Sequence, residues 1–235
     1  MSSSAEIAEV TVLITGSNRG LGRALATRFL LQPRTTVVAA VRQTDHATMQ
    51  SLSELPRGSG SELITVKIDS LSDSDAPNAV ELLQTKHGIQ KLDIVVANAG
   101  YGTVYGDLSQ VRPGELRDLF DINAVGPLRL FQAVRPLLEA GNRPRFVLIG
   151  TPIASIAAME KAPFPMIAYG ASKAAAHYLA RKMHCERARN FGMEQAPVPV
   201  DDSADFVFAQ IGKATREETS GKFVTIDESQ EFLEW

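Results

Sequence analysis

Val12-Leu-Ile-Thr-Gly-Ser-Asn-Arg-Gly-Leu-Gly22 places three glycines, Gly16, Gly20 and Gly22, between an apolar strand-like run and a helical pattern. Glycine permits turns at φ > 0 and lets backbone N–H groups approach a pyrophosphate at a helix N-terminus. The spacing here is Gly-x3-Gly-x-Gly, not the Gly-x-Gly-x2-Gly of other dinucleotide folds. A plain strand–helix turn would account for one or two glycines. Three of them, opened by Thr15 and set after the first strand, favour a dinucleotide site.

Working outward, short β-branched apolar runs at 10–14, 36–41, 63–68, 92–97 and 146–149 read as buried strands. Helical patterns at 21–31, 46–55, 76–87 and 113–138 lie between them. This alternation predicts an α/β fold: a Rossmann-like, doubly wound parallel sheet with helices on both faces. Arg57-Gly-Ser-Gly-Ser61 joins elements of that one series, so the whole chain, 1–235, reads as a single domain. Leu128, Phe131, Val134 and Leu138 form an apolar stripe that serves either as core or as a subunit face. Further on, 167–186 can form one long helix. Asp201 or Asp202 can cap another, with Ala204, Val207, Phe208, Ile211 and Ala214 on one face. A last strand is expected at 222–226, and 187–200 contains no strand-like run.

Composition narrows the function classes. The net charge of −3 gives no reason to expect nucleic acid or an anionic membrane as partner. A single cysteine, Cys185, excludes an intrachain disulfide framework and fits a reducing, cytoplasmic setting. No apolar run reaches membrane-spanning length, and the first residues lack a signal pattern. His46, His87, His177 and His184 show no metal spacing with Cys185, so no metal is expected. His177 reads as a packed helix residue, and Arg187 with Arg189 as a solvated helix end.

The end of the second predicted strand bears on which dinucleotide binds. An NAD site normally presents Asp or Glu there to the ribose hydroxyls. Arg42 stands at that point, and Arg19 lies inside the glycine loop. Two guanidinium groups suit a 2′-phosphate through charge-assisted, often bidentate bonds, so NADP, as NADPH, is the expected cofactor. Asp45 nearby argues the other way.

Tyr169-Gly-Ala-Ser-Lys173 carries the expected chemistry. Positions i and i+4 share a helix face, so the Lys173 ammonium can sit beside the Tyr169 phenol. A tyrosine pKa of about 10 asks for a shift worth ~4 kcal/mol if the phenol is to work as an acid near neutrality. A positive charge ~4 Å away at an effective dielectric of ~20 supplies an interaction of that order. The pair therefore makes a proton donor for a carbonyl oxygen receiving hydride.

Taken in order, the motifs Thr15-Gly-x3-Gly-x-Gly22, Asn98-Ala-Gly100, Asn123 and Tyr169-x3-Lys173 resemble the short-chain dehydrogenase/reductase family across 10–186. The resemblance implies cofactor contacts at Gly16, Arg19, Gly20, Leu21, Gly22 and Arg42. It also implies that Asp69 meets the adenine, Asn98 lies over the adenine-side pocket and stabilises the sheet, and Lys173 binds the nicotinamide ribose. Tyr169 would be the proton donor, its pKa lowered by Lys173. Ala97 stands where the family places a second asparagine.

Two further positions have local arguments. Asn123 precedes Pro127 by four residues, and Pro127 has no N–H to offer its carbonyl. That carbonyl can hold a water, and the resemblance implies a proton relay through it behind Lys173. The other reading is a kink at Gly126-Pro127. The family also places a hydroxyl after the fifth strand. Thr151 matches by following the strand directly, and Ser155 by count, fourteen residues before Tyr169. Strand ends fix geometry better than loops, which favours Thr151.

Phe146-Val-Leu-Ile-Gly-Thr-Pro-Ile153, Gly192-Met-Glu-Gln-Ala-Pro197, the segment from Ala214 to Phe223 and Trp235 resemble fungal ketoreductases of the norsolorinic acid type. That resemblance implies an NADPH-dependent ketoreductase acting on a small-molecule ketone, an aromatic polyketide or related secondary metabolite of the aflatoxin/dothistromin kind. It also implies a homo-oligomer built on the helices containing Asn123 and Tyr169. The family has a sixth strand, a Pro-Gly turn and a loop over the nicotinamide after the Tyr/Lys helix. Here Cys185-Glu-Arg-Ala-Arg-Asn-Phe-Gly-Met193 runs directly into Gln195-Ala-Pro197. The chain is therefore expected to be truncated internally, without that strand and loop, leaving the last strand to pair elsewhere, move inward or fray. A catalytically impaired dinucleotide-binding protein is the alternative expectation.

Overall fold

A computed structural model describes residues 9–44, 48–102, 106–141, 143–159, 161, 164–185, 190–194, 200–215, 219, 223–225 and 232–233. Asp45, His46, Arg187, Arg189 and Trp235 lie outside the described residues.

The predicted alternation is present. Strands β1 (Val10–Thr15), β2 (Thr35–Val41), β3 (Glu62–Lys67), β4 (Ile94–Ala97) and β5 (Arg145–Ile149) run parallel in the order β3-β2-β1-β4-β5. β2 and β4 are buried along their whole length, as strands covered by helices on both faces must be. Helices α1 (Gly20–Leu31), α2 (Thr48–Ser53), α3 (Asp75–Lys86), α4 (Pro113–Phe120), α5 (Gly126–Glu139), α6 (Ile167–Cys185) and α7 (Val200–Lys213) complete the layers. Leu25, Phe29 and Leu30 of α1 and Ala204, Val207 and Ile211 of α7 share one core with β1. α3, α5 and α6 cover the opposite face through Leu83, Leu130, Val134 and Met183. The α5 stripe proves to be core: Phe131, Val134 and Leu138 are buried and Leu128 packs against them.

The predicted helix at 113–138 is not continuous. α4 gives way to a π-helical turn, Asp121–Val125, in which the Gly126 N–H donates to the Asp121 carbonyl five residues back. Pro127 offers no N–H, so the ordinary register cannot be kept, and one extra residue is looped in. The result turns Asn123 fully inward.

One expectation is corrected. Residues Asn190–Glu194 form a strand, β6, paired parallel with β5 from Phe146↔Asn190 to Ile149↔Met193. The final strand, β7 (Phe223–Thr225), pairs parallel with β6, and a short β8 (Phe232–Leu233) closes the edge antiparallel. The last strand is therefore not stranded. Strand formation here is driven by the partner: the open edge of β5 offers N–H and C=O groups that need mates, and even an Asn-Phe-Gly-Met-Glu run can supply them. The internal truncation shows instead in the connection, since only 195–199 lie between β6 and α7.

Among the described residues, no helix is long and apolar enough to cross a membrane.

Candidate active site

In going from β3 to β4 the chain crosses over β2 and β1, which puts a crevice at the carboxyl ends of β1 and β4. Thr15 closes that end of the sheet. Its hydroxyl accepts the N–H groups of Asn98 (3.1 Å) and Ala99 (3.0 Å). Asn98 returns the bond, its amide donating to the Thr15 carbonyl at 2.9 Å. Asn98 thus stabilises the sheet at the switch point, as expected, with Thr15 as a partner that the motif reading used only as a loop opener.

The glycine turn has the shape that a phosphate cradle needs. Gly16 and Gly20 adopt φ of 65° and 53°, a region that costs other L-residues strain. A Cβ on Gly22 would lie 2.3 Å from the Gly16 carbonyl oxygen, so no side chain fits there. The Leu21 side chain packs downward against the α1/α7 core, leaving its backbone for the crevice. Arg19 and Arg42 are exposed and make no ion pair with any described residue. The Asp69 carboxylate accepts the Leu71 N–H at 3.0 Å and lines a cleft with Thr15, Ser70, Ala97, Ala99 and Arg129. These groups fit a dinucleotide: a side-chain-free turn at a helix start, and two exposed guanidinium groups with no ion pair among the described residues for an anionic ribose.

Tyr169 and Lys173 come together beside the loop that follows β4. A Cβ on Gly102 would fall 2.4 Å from the Tyr169 ring, and one on Gly100 would fall 3.0 Å from Asn123 Oδ1 and 3.5 Å from Lys173 Nζ. The backbone at 100–102 is therefore laid directly on the three side chains. Asn123 clamps it: the Tyr101 N–H donates to Asn123 Oδ1 (2.9 Å), and Asn123 Nδ2 donates to the Tyr101 carbonyl (2.8 Å) and to Ser172 Oγ (3.0 Å). Ser172 in turn donates to the Tyr169 carbonyl at 2.7 Å. Both amide hydrogens of Asn123 are thus satisfied inside the protein. Ser172 and Gly102 were not singled out from the sequence, although Ser172 lies within the Tyr169-x3-Lys173 motif itself.

Of the two candidate hydroxyls, Thr151 is the one placed near enough to the Tyr169 phenol to draw its pKa down. Ser155 is buried as well, but its Oγ accepts the Ala158 N–H at 3.2 Å and so folds its own loop.

The electrostatics differ from expectation in one respect. Burial pushes the Tyr169 phenol up, and the Thr151 hydroxyl is what pulls it down. Lys173 Nζ donates to the Ile149 carbonyl at 2.9 Å, which holds the ammonium at the end of β5 rather than on the phenol oxygen. Burial lowers the Lys173 ammonium to about 8. His177, one turn further along α6 and 4% exposed, is held down at about 3 by burial and by the Lys173 charge. The buried helix face expected for His177 is what the fold provides.

Tyr101, Leu108, Ile156, Met159 and Phe164 are exposed large side chains on the loops after β4 and β5. The Gly106 N–H ties those loops together by donating to the Pro165 carbonyl at 3.1 Å.

Comparison with known proteins agrees with this geometry. Residues 10–191 match the family described as short chain dehydrogenase. The chain is 40% identical to the norsolorinic acid ketoreductase of Dothistroma septosporum, with 96% of this chain and 92% of that protein covered. It is 42% identical to a short chain dehydrogenase of Penicillium aethiopicum over 81% of this chain and 76% of that one. The fold matches an NADPH-bound carbonyl reductase from chicken fatty liver with a TM-score of 0.84 at 19% identity, covering 97% of this chain and 100% of that one. The Dothistroma alignment runs over 249 positions yet takes in 96% of 235 residues, about 226, so about 23 positions of that relative have no counterpart here. The Penicillium alignment uses 194 positions for 81% of the chain, about 190 residues, and needs almost no gap.

Proposed function

This chain belongs to the short-chain dehydrogenase family, and on that premise we propose that it is an NADPH-dependent ketoreductase acting on a ketone of an aromatic polyketide. The observation that carries the reading is the Thr151–Tyr169–Lys173 group set against the glycine cradle across one crevice. NADPH, when bound, supplies the hydride that a ketone carbon requires. Gly20, Leu21 and Gly22 would hold its phosphates through backbone N–H groups, while Gly16, whose N–H donates to the Ala40 carbonyl, would give the turn its close approach; Arg19 and Arg42 would hold the 2′-phosphate, and Asp69 the adenine side. Asn98 keeps the crevice floor in place.

Tyr169 gives its proton to the ketone oxygen as negative charge develops there. An alkoxide is far more basic than a phenolate, so this transfer runs downhill even from a phenol that burial has raised. Thr151 donates to the same oxygen and fixes its position, and the buried Lys173 ammonium is the reservoir from which the phenol regains its proton. Asn123 holds the floor beneath them and marks the exit toward a water-borne relay. Exposed apolar side chains on the segments after β4 and β5 suit a flat, poorly hydrated substrate, in keeping with relatives named for norsolorinic acid. Any homo-oligomer through the helices carrying Asn123 and Tyr169 must use their outer sides, since the α5 stripe is core.

The test is NADPH oxidation by the purified chain in the presence of an aromatic polyketide ketone. Tyr169→Phe should lose activity at least about a hundredfold while keeping cofactor binding, within the range of general acid catalysis. Full turnover in that variant refutes the assignment of the acid.

A second reading rests on the shortened connection. With 195–199 alone between β6 and α7, and about 23 positions lost relative to the Dothistroma protein, one wall of the crevice has little chain to build it. On that reading the protein binds NADPH, seen as a thermal shift, without reducing ketones. Turnover of any aromatic ketone by the purified chain ends it.

A further inference from the structure

Arg129 is a half-buried cation for which the proposed chemistry has no use, and two separate segments meet on it. Its Nη1 donates to the Ser70 carbonyl at 3.0 Å and to Asp121 Oδ1 at 2.6 Å, and its Nε donates to the Asp73 carboxylate. Ser70 and Asp73 belong to the loop after β3, which carries Asp69. Asp121 opens the π-helical turn that carries Asn123. Three residues before Arg129, Gly126 has the Ser70 side chain so close that an added Cβ would lie 2.7 Å from it. The guanidinium therefore binds the β3 loop down onto the π turn, and its own side chain lines the cleft that Asp69 borders.

The same loop is held from its other side by Asp75. That carboxylate accepts the Asp69 N–H at 3.0 Å and the Ser72 hydroxyl at 2.8 Å, and pairs with Lys67 at 3.2 Å. Asp75 sets the loop's internal shape, and Arg129 sets where the loop stands relative to the rest of the site. A planar fork with donors on three nitrogens can meet acceptors in three directions, whereas a lysine ammonium is a point charge.

We infer that Arg129 is a positioning residue that fixes the adenine-side wall, Asp69 to Asp73, against the Asn123 turn, and so sets affinity for the adenosine half of the cofactor. The inference rests on the reading of the crevice as a dinucleotide site. It acts on binding and not on proton transfer: Asn123 keeps its own bonds to Tyr101 and Ser172 without Arg129.

Adenosine 2′,5′-bisphosphate, which carries the adenosine half alone, is the probe, titrated calorimetrically against the wild-type chain, Arg129→Ala and Arg129→Lys. The expected result is about a tenfold weaker Kd for Arg129→Ala, the same loss for NADPH, and little rescue by lysine, the scale of a lost charge-assisted bond. In saturating NADPH, kcat stays within twofold of wild type. A purely structural role would instead lower Tm and leave the Kd of the folded fraction unchanged, and that outcome overturns the inference. So does full rescue by lysine. Should Arg129→Ala fail to fold, Asp73→Ala removes one exposed acceptor and should weaken the probe about threefold, and an unchanged Kd there overturns the inference equally. If the wild-type chain itself does not bind the probe, the cofactor reading falls first, a result distinct from a variant that binds as well as wild type.

Discussion

Gly102→Ala tests the placement of the phenol. The added methyl carbon would start 2.4 Å from Cδ2 of the Tyr169 ring and 2.8 Å from Cγ and Cε2. Carbon atoms settle at about 3.5–4 Å, so the ring must retreat by roughly 1 Å or the 100–102 backbone must lift away. The backbone is not free to lift, because Asn123 grips both polar groups of Tyr101. A reacting group displaced by about 1 Å costs on the order of a hundredfold in rate, which is about 3 kcal/mol of transition-state stabilisation. Overpacking adds a stability cost of about 1–3 kcal/mol, so the assay must be run well below the melting transition. The measurement is kcat at saturating NADPH, with Gly114→Ala as control, since a methyl there meets nothing within 4 Å. Withdrawal from Thr151 should also raise the phenol titration further, visible in phenolate absorbance whether or not ketone is reduced. A Gly102→Ala protein with wild-type kcat and an unshifted phenol would show that Tyr169 does not stand against this loop.

Lys173, lowered to about 8 by burial, should give kcat/KM a limb that falls as pH rises through about 8, and Lys173→Arg should move that limb out of range. The same group makes stability rise with pH between about 8 and 10.5, by about 3 kcal/mol, because only the unfolded chain keeps the proton there. His177 works at the acid end: between pH 6.5 and about 3 the unfolded chain binds a proton that the folded chain refuses. Stability should therefore fall by about 5 kcal/mol as pH drops across that window, and chemical denaturation of His177→Leu should show a flatter acid limb. Gly22→Ala, forced against the Gly16 carbonyl at 2.3 Å, should weaken NADPH binding at least about tenfold by calorimetry, with the turn distorted rather than merely filled.

Much of this protein could be read before any coordinates. Strand periods, the glycine turn and the Tyr169/Lys173 spacing are local signals, carried by residues within one or two helical turns of each other, and for these local chemistry and final structure agree. The strand-end argument favoured Thr151 over Ser155 only narrowly, because the choice depends on which hydroxyl meets a phenol from another element.

Three features were decided only by the assembled fold. The strand at Asn190–Glu194 has no apolar signature and exists because β5 presents an open edge to it. The upward push on the Tyr169 phenol follows from burial, and Lys173 is drawn to the Ile149 carbonyl; neither is written in a four-residue spacing. Arg129 looks like any surface arginine until Ser70, Asp73 and Asp121 are brought around it from segments up to 59 residues away. The sequence alone determined which groups could do chemistry and on which elements they ride. Their protonation and their partners depend on burial and on long-range contacts, and those come into being only when the sheet closes and the helices pack across it.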